Sequence, residues 1–229
     1  MAAAPAAPRR RVPGPLVGVL GLAMAVLVLL TGPLLLFNPW FISVEQARND
    51  VPARLATSQA EVDRVTGAML CDLLLACDDF GERLDGASQP LLTDAERSHM
   101  RDVSRLVRLL VAVWIAAAVL AIALLVVLRR DRRRIGLALL AAGGLVGTLA
   151  VILAGVFAVA FDQAFLAFHE VFFPQGNFLF GPDSNLLRLF PEGFWFDASL
   201  TAGIAIILTA LAVVLAGWRL LRSSPATAA

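Results

Sequence analysis

Two histidines are the side chains in this 229-residue sequence best suited to moving a proton near neutral pH, and neither lysine nor tyrosine accompanies them. His99 stands in Glu96-Arg97-Ser98-His99-Met100-Arg101-Asp102-Val103, and His169 in Phe168-His169-Glu170-Val171-Phe172-Phe173. A neutral imidazole takes a proton and an imidazolium returns it in the physiological range, so two of them at one place can act as base and acid. On a helix, His99 and Asp102 are three apart and share a face, as do Asp162 and His169 at seven apart. A carboxylate beside a histidine fixes its tautomer and raises its basicity; Glu96 and Glu170 are further candidates for that supporting role. The same groups suggest a second chemistry, since two imidazoles with Asp or Glu suffice for zinc, although no His-x3-His spacing supports it. A third reading is bland: amphipathic surface histidines, with Asp102 paired to Arg105 or Arg101 and Glu96 serving only as a helix cap.

The elements that carry these residues follow from the apolar pattern. The chain is 59% hydrophobic and 16% charged, where a soluble domain carries about a quarter charged residues. A net charge of +1 gives no electrostatic case for nucleic acid. Apolar blocks over 15–37, 107–128, 137–160 and 202–218 approach or exceed the ~20 residues that cross a bilayer, and backbone in hydrocarbon must be helical. The expected fold is therefore an all-α membrane protein with four transmembrane helices and a small helical extracytoplasmic cap. Arg9, Arg10 and Arg11, then Arg129, Arg130, Arg132, Arg133 and Arg134, then Arg219 and Arg222 flank the spans against one acid, Asp131. This bias makes segments 1–14, 129–136 and 219–229 cytoplasmic, with N-in and C-in orientation. The first block has no small-x-small site after it, Phe37 to Phe41 reading FNPWF, so it is expected to be an uncleaved anchor.

Two loops remain on the other side. Residues 38–106 hold twelve acids and seven arginines, with helical spacing from Glu61 to Ala76. Thr93 with Glu96 forms a capping-box pattern from which a helix could run into the second span. Residues 161–201 hold ten of the fourteen phenylalanines, which suits the headgroup level of a bilayer. Cys71 and Cys77 are the only cysteines. A helix continuous through Ala76 would point them to different faces, so a bond between them needs a break there, and the sequence leaves that open. Gly143, Gly147 and Gly155 keep a four-residue rhythm that invites close packing of the third span.

The Glu-x-x-His-Met-x-Asp-Val string before the second span and Phe-His-x-x-Phe-Phe after the third resemble hallmarks of the lipoprotein intramolecular transacylase (Lit) family. So does the segment Leu186-Leu187-x-x-Phe190-Pro191-Glu192-x-Phe194. One departure is Phe178, where relatives often carry tryptophan after the asparagine matching Asn177. The resemblance implies four spans, an extracytoplasmic cap and a site in a bacterial plasma membrane. It also implies membrane lipids and diacylated lipoproteins as partners. The implied activity moves an acyl chain from the glycerol of a lipoprotein to the α-amine of its own N-terminal cysteine, at the outer leaflet. His99 and His169 would be the catalytic pair, with Arg97, Arg101 or Arg188 available to an oxyanion. No serine or cysteine nucleophile, cofactor or metal is called for. A non-enzymatic protein with a partner-binding cap is the alternative of a different class.

Overall fold

The computed structural model describes residues 14–223; Arg9, Arg10 and Arg11 and the last six residues lie outside them. Regular structure among the described residues is entirely helical. In chain order the helices are α1 (Gly14–Leu35), α2 (Pro39–Arg48), α3 (Val51–Arg54), α4 (Gln59–Leu75), α5 (Asp94–Leu128), α6 (Arg132–Val159), α7 (Phe161–Phe172), α8 (Asn185–Leu189) and α9 (Glu192–Arg222). Four of them, α1, α5, α6 and α9, are long and apolar enough to cross a membrane. The protein is a multi-pass membrane protein of the expected fold class.

Helices α5, α6 and α9 outrun their apolar blocks because a backbone hydrogen-bond ladder need not stop where hydrocarbon stops. At 1.5 Å per residue, the 35 residues of α5 reach about 52 Å, against a hydrocarbon core of ~30 Å. Its first third carries Glu96, Arg97, Arg101, Asp102 and Arg105, charges that do not stay in lipid. The apolar part of the helix begins near Val107. The capping box forms as the spacing requires: Glu96 N–H donates to Thr93 Oγ1 at 3.3 Å and Thr93 N–H donates to Glu96 Oε2 at 2.7 Å. The helix then runs unbroken into the span.

Small residues set the tightest pairing, α6 against α9. A Cβ placed on Gly136 would lie 2.8 Å from the Gly217 carbonyl oxygen, and one on Gly217 would lie 2.8 Å from that of Gly136. A Cβ on Gly143 would lie 2.8 Å from the Ala210 carbonyl oxygen and one on Gly147 3.1 Å from the Ala210 Cβ, whereas one on Gly155 would face open space. Two of the three glycines of the rhythm thus pack. Close backbone approach matters here because helices in lipid gain dispersion contact rather than a hydrophobic driving force. Polar groups in the bundle are satisfied internally: Trp114 Nε1 donates to Thr31 Oγ1 at 3.1 Å, and Thr31 Oγ1 donates to the Leu27 carbonyl at 2.7 Å.

The Gly136–Gly217 crossing brings the start of α6 beside the end of α9, so Arg129 to Arg134 and Arg219 and Arg222 gather at one end of the bundle. The cap occupies the other end. Val51, Val62, Val65, Met69, Met100 and Leu189 form its core, joining both loops. Fully buried Gln46 ties them further, donating to Thr66 Oγ1 at 3.1 Å and to the Leu189 carbonyl at 3.2 Å. The expected helix over Glu61–Ala76 is present as α4 and stops one residue earlier. Ala76 adopts a left-handed conformation, φ 55°, and ends it. This is the break that lets Cys77 turn back: Cys71 and Cys77 are disulfide-bonded with Cα atoms 5.6 Å apart.

Candidate active site

The two histidines reach the cap from different directions. His99 projects from the part of α5 that stands above the span. α6 ends at Val159; Ala160, outside the helical region (φ −143°, ψ 46°), lets the chain restart as α7, and His169 lies near the end of that short helix. The imidazole centroids are 6.1 Å apart and the rings are inclined by 26°. Phenylalanines of the second loop surround them. Phe173 packs 4.8 Å from His99 and 5.7 Å from His169, Phe180 lies 5.7 Å from His99, and Phe165 and Phe178 lie 4.2 and 5.1 Å from His169. His99 is 6% exposed and His169 is half-buried.

Burial pushes the pKa of both histidines down. At His99 the Asn177 side chain pulls the other way, the second imidazole adds to the lowering, and the Asp102 charge opposes it. At His169 the only counterweight is the Phe165 carbonyl, 2.9 Å from Nδ1. A carbonyl oxygen only accepts, so Nδ1 of His169 carries the hydrogen and Nε2 keeps its lone pair. Both shifts favour the neutral ring, in an aromatic surround.

The four supporting carboxylates divide. Glu96, 2% exposed, is far more than a cap. Besides Thr93 it accepts from Leu186 N–H at 3.0 Å and from the Ser184 hydroxyl, pinning the second loop to α5 three residues from His99. Burial pushes its carboxyl up, but these hydrogen bonds outweigh burial and hold it below the usual range. Asp102 pairs with Arg105 at 2.5 Å, as the spacing allowed. It also accepts from Gln175 Nε2 at 2.9 Å and Asn177 Nδ2 at 2.8 Å, and makes no hydrogen bond to His99 itself. Asp162 shares α7 with His169 but sits two turns away, about 10 Å along the axis. It lines a separate recess of about 540 Å³ with Glu192 and Asp197. Glu170 is exposed.

Of the arginines considered for an oxyanion, Arg97 and Arg101 both grip Asp79, at 2.7 and 2.9 Å, and Arg188 lies 3.7 Å from Asp183. Sequence spacing did not single out Gln175, Ser184 or the partnership of Asp79 with α5, since all join segments far apart in the chain. The left-handed Gly176 (φ 75°) between Gln175 and Asn177 marks the turn that delivers both amides to Asp102. Among the described residues no group of three or more His, Cys, Asp and Glu converges to hold a metal ion.

Four spans, a cap stapled by a disulfide, and two adjacent histidines at the cap end, one buried and one half-buried, define a membrane-embedded protein. Residues 17–195 match the family model for the lipoprotein intramolecular transacylase Lit. The chain belongs to that family. Its fold is similar to that of Lit from Bacillus cereus, with a TM-score of 0.79 at 17% identity over 90% of this chain and 94% of that one. Two forms of the Bacillus protein bearing a histidine substitution superpose with TM-scores of 0.72, covering 91% and 92% of those chains. An uncharacterised protein of Aquifex aeolicus (strain VF5) is 29% identical over 133 residues, 55% of this chain and 56% of the relative, so the chain spans about half the length of that relative.

Proposed function

We propose that this protein is an intramolecular transacylase of diacylated lipoproteins, acting at the outer leaflet of a bacterial plasma membrane with His99 and His169 as its acid–base pair. The observation that carries the reading is the 6.1 Å approach of two imidazoles, one buried and one half-buried, supplied by separate segments of a family member. In the reaction the α-amine nitrogen attacks the ester carbonyl carbon. The N–C bond forms, the C–O bond to glycerol breaks, and the glycerol oxygen takes a proton. The amine loses a proton in the same event, so an imidazole that begins neutral and is acidic once protonated serves both ends. Amine and ester belong to one molecule, and holding them together supplies much of the rate. The arginine bias supports an orientation with the cap outside and both termini in the cytoplasm.

The test is conversion of a synthetic diacylated lipopeptide to its N-acyl, lyso form, followed by mass spectrometry. His99→Ala and His169→Ala should each slow conversion by roughly the hundred- to ten-thousandfold typical of general acid–base catalysis. The double variant should be little slower than the worse single one. A chelator should change nothing. Full conversion by a well-folded single variant would refute the assignment; loss of activity on chelation would favour a metal site instead.

A further inference from the structure

Small residues line two places in the bundle, with opposite results. At the α6–α9 crossing they let the backbones touch. Between α1 and α6 they leave an open groove of about 400 Å³, walled by Gly18, Gly21 and Ala25 on one helix and by Ala138, Ala141 and Ala142 on the other. A Cβ on Gly18 would meet nothing within 4 Å, and one on Gly21 only the Ala138 carbonyl oxygen at 3.7 Å. No side chain in the lining can hydrogen-bond a water, so a hydrocarbon chain suits the space better. Leu20 shares a packed cluster with Ala138, and Val28, two turns on, shares the next with Val146, so α1 and α6 run side by side in one direction from the arginine end. The groove follows α6 from Leu137 to Leu145, about 12 Å of helix. One turn back along the same face stand Arg133, before Leu137, and Arg134, before Ala138. Asp131, the one acid of the turn, pairs with Arg134 at 3.2 Å. Arg129, Arg130, Arg132 and Arg133 are all exposed and leave the turn with an excess of positive charge.

We propose that the α1–α6 groove holds one acyl chain of an anionic phospholipid, whose headgroup phosphate rests on Arg133 and its neighbours in the turn before α6. Charge and groove lie end to end, a positive mouth opening on an apolar slot, which is how such a lipid divides into headgroup and chain. Basic clusters beside a span attract anionic headgroups, and here the slot adds a place for the chain directly beneath them. The site stands at the opposite end of the bundle from the histidines and does not depend on the transacylase reading. A lipid seated there covers the open seam between two spans, and a ligand that binds only the folded bundle stabilises it.

The test uses the full-length protein in micelles, native mass spectrometry, and two lipids with the same acyl chains, phosphatidylglycerol and phosphatidylcholine. A single phosphatidylglycerol should stay bound, preferred over phosphatidylcholine by roughly fivefold for each arginine engaged. Arg133→Gln should cut that preference about fivefold. Gly18→Leu places a side chain where no protein atom stands, so it fills the groove without displacing the bundle, and its retention of phosphatidylglycerol should fall to that of phosphatidylcholine. Gly144→Leu, equally unobstructed but away from the lining, should bind as the unaltered protein does. Added phosphatidylglycerol should raise the thermal midpoint of the unaltered protein and not that of Gly18→Leu. Equal retention of the two lipids by the unaltered protein overturns the proposal, as does a Gly18→Leu protein that keeps its phosphatidylglycerol. A dimer that forms without lipid and is broken by Gly18→Leu would also overturn it, and would assign the groove to a second copy of the chain. If Gly18→Leu does not fold, Ala141→Leu, from the exposed opposite wall, fills the groove in its place and is read the same way.

Discussion

Replacing Glu96 by alanine removes the acceptor for four donors at once: Thr93 N–H and hydroxyl, Leu186 N–H, and the Ser184 hydroxyl. The hydroxyls can rotate to other partners, and exposed Thr93 can turn its N–H to water. Leu186, 7% exposed, cannot. An unpaired buried donor costs about 1–3 kcal/mol, and the Thr93 hydroxyl still accepts from the backbone N–H of residue 96, so Glu96→Ala should destabilise the protein by roughly 1–3 kcal/mol. Glu96→Gln keeps one acceptor oxygen, which serves Leu186 or Thr93 but not both, and should cost about half as much. The assay is the thermal midpoint of purified protein in detergent at neutral pH, with urea titration to supply the free energy. Acid adds a second reading. The Glu96 carboxyl lies below its usual 4.5 in the folded protein. The unfolded chain therefore binds more protons in that region, and this group's stabilisation, complete above pH 4.5, falls away as pH drops through the lowered folded value. Glu96→Gln should flatten that acid limb. An alanine variant with an unchanged midpoint would refute the reasoning, because it would mean the second loop is not held to α5 through this carboxylate.

Gly217→Leu, at the α6–α9 crossing where a Cβ already meets backbone at 2.8 Å, should lower the thermal midpoint sharply, whereas Gly155→Leu, facing open space, should leave it unchanged; equal effects would remove the packing argument. Glu82, whose second carboxyl oxygen is buried without a partner, is pushed up to about 7 by burial, with the Asp72 carboxyl beside it raising it further. Between its usual 4.5 and about 7 the folded protein binds the extra proton, so stability should fall as pH rises through that window. Glu82→Gln should abolish that decline in pH-dependent melting, and an identical decline in the variant would discard the assignment. A cysteine at Ser88, in a background lacking Cys71 and Cys77, should react with a membrane-impermeant thiol reagent on intact cells, and one at Asp131 should not; the reverse labelling would invert the orientation.

The spans were legible in the sequence because hydrocarbon leaves the backbone one local solution, and a run of ~20 apolar residues declares it without reference to the rest of the chain. The capping box at Thr93 and Glu96 was legible for the same reason, as both partners lie within one turn. His99 and His169 stood out by residue type and by their place beside the spans. Asp162 shows where that logic stops. Helical spacing put it on the face of His169, but a hydrogen bond does not span two turns, and the nearer Phe165 carbonyl takes Nδ1. The sequence also left the Cys71–Cys77 bond open, because the left-handed turn at Ala76 is imposed where α4 meets the rest of the cap rather than by any local signal. Everything that makes a site of the two histidines is of this kind. Asn177 lies 75 residues from Asp102, and Leu186 lies 90 residues from Glu96. Contacts between chain segments so distant are set by how α5, α7 and the second loop pack. The sequence by itself determined which residues could move a proton and at which end of the bundle; only the tertiary structure decided which carboxylate reaches which ring, because side-chain range is a few ångströms and chain separation carries no information at that scale.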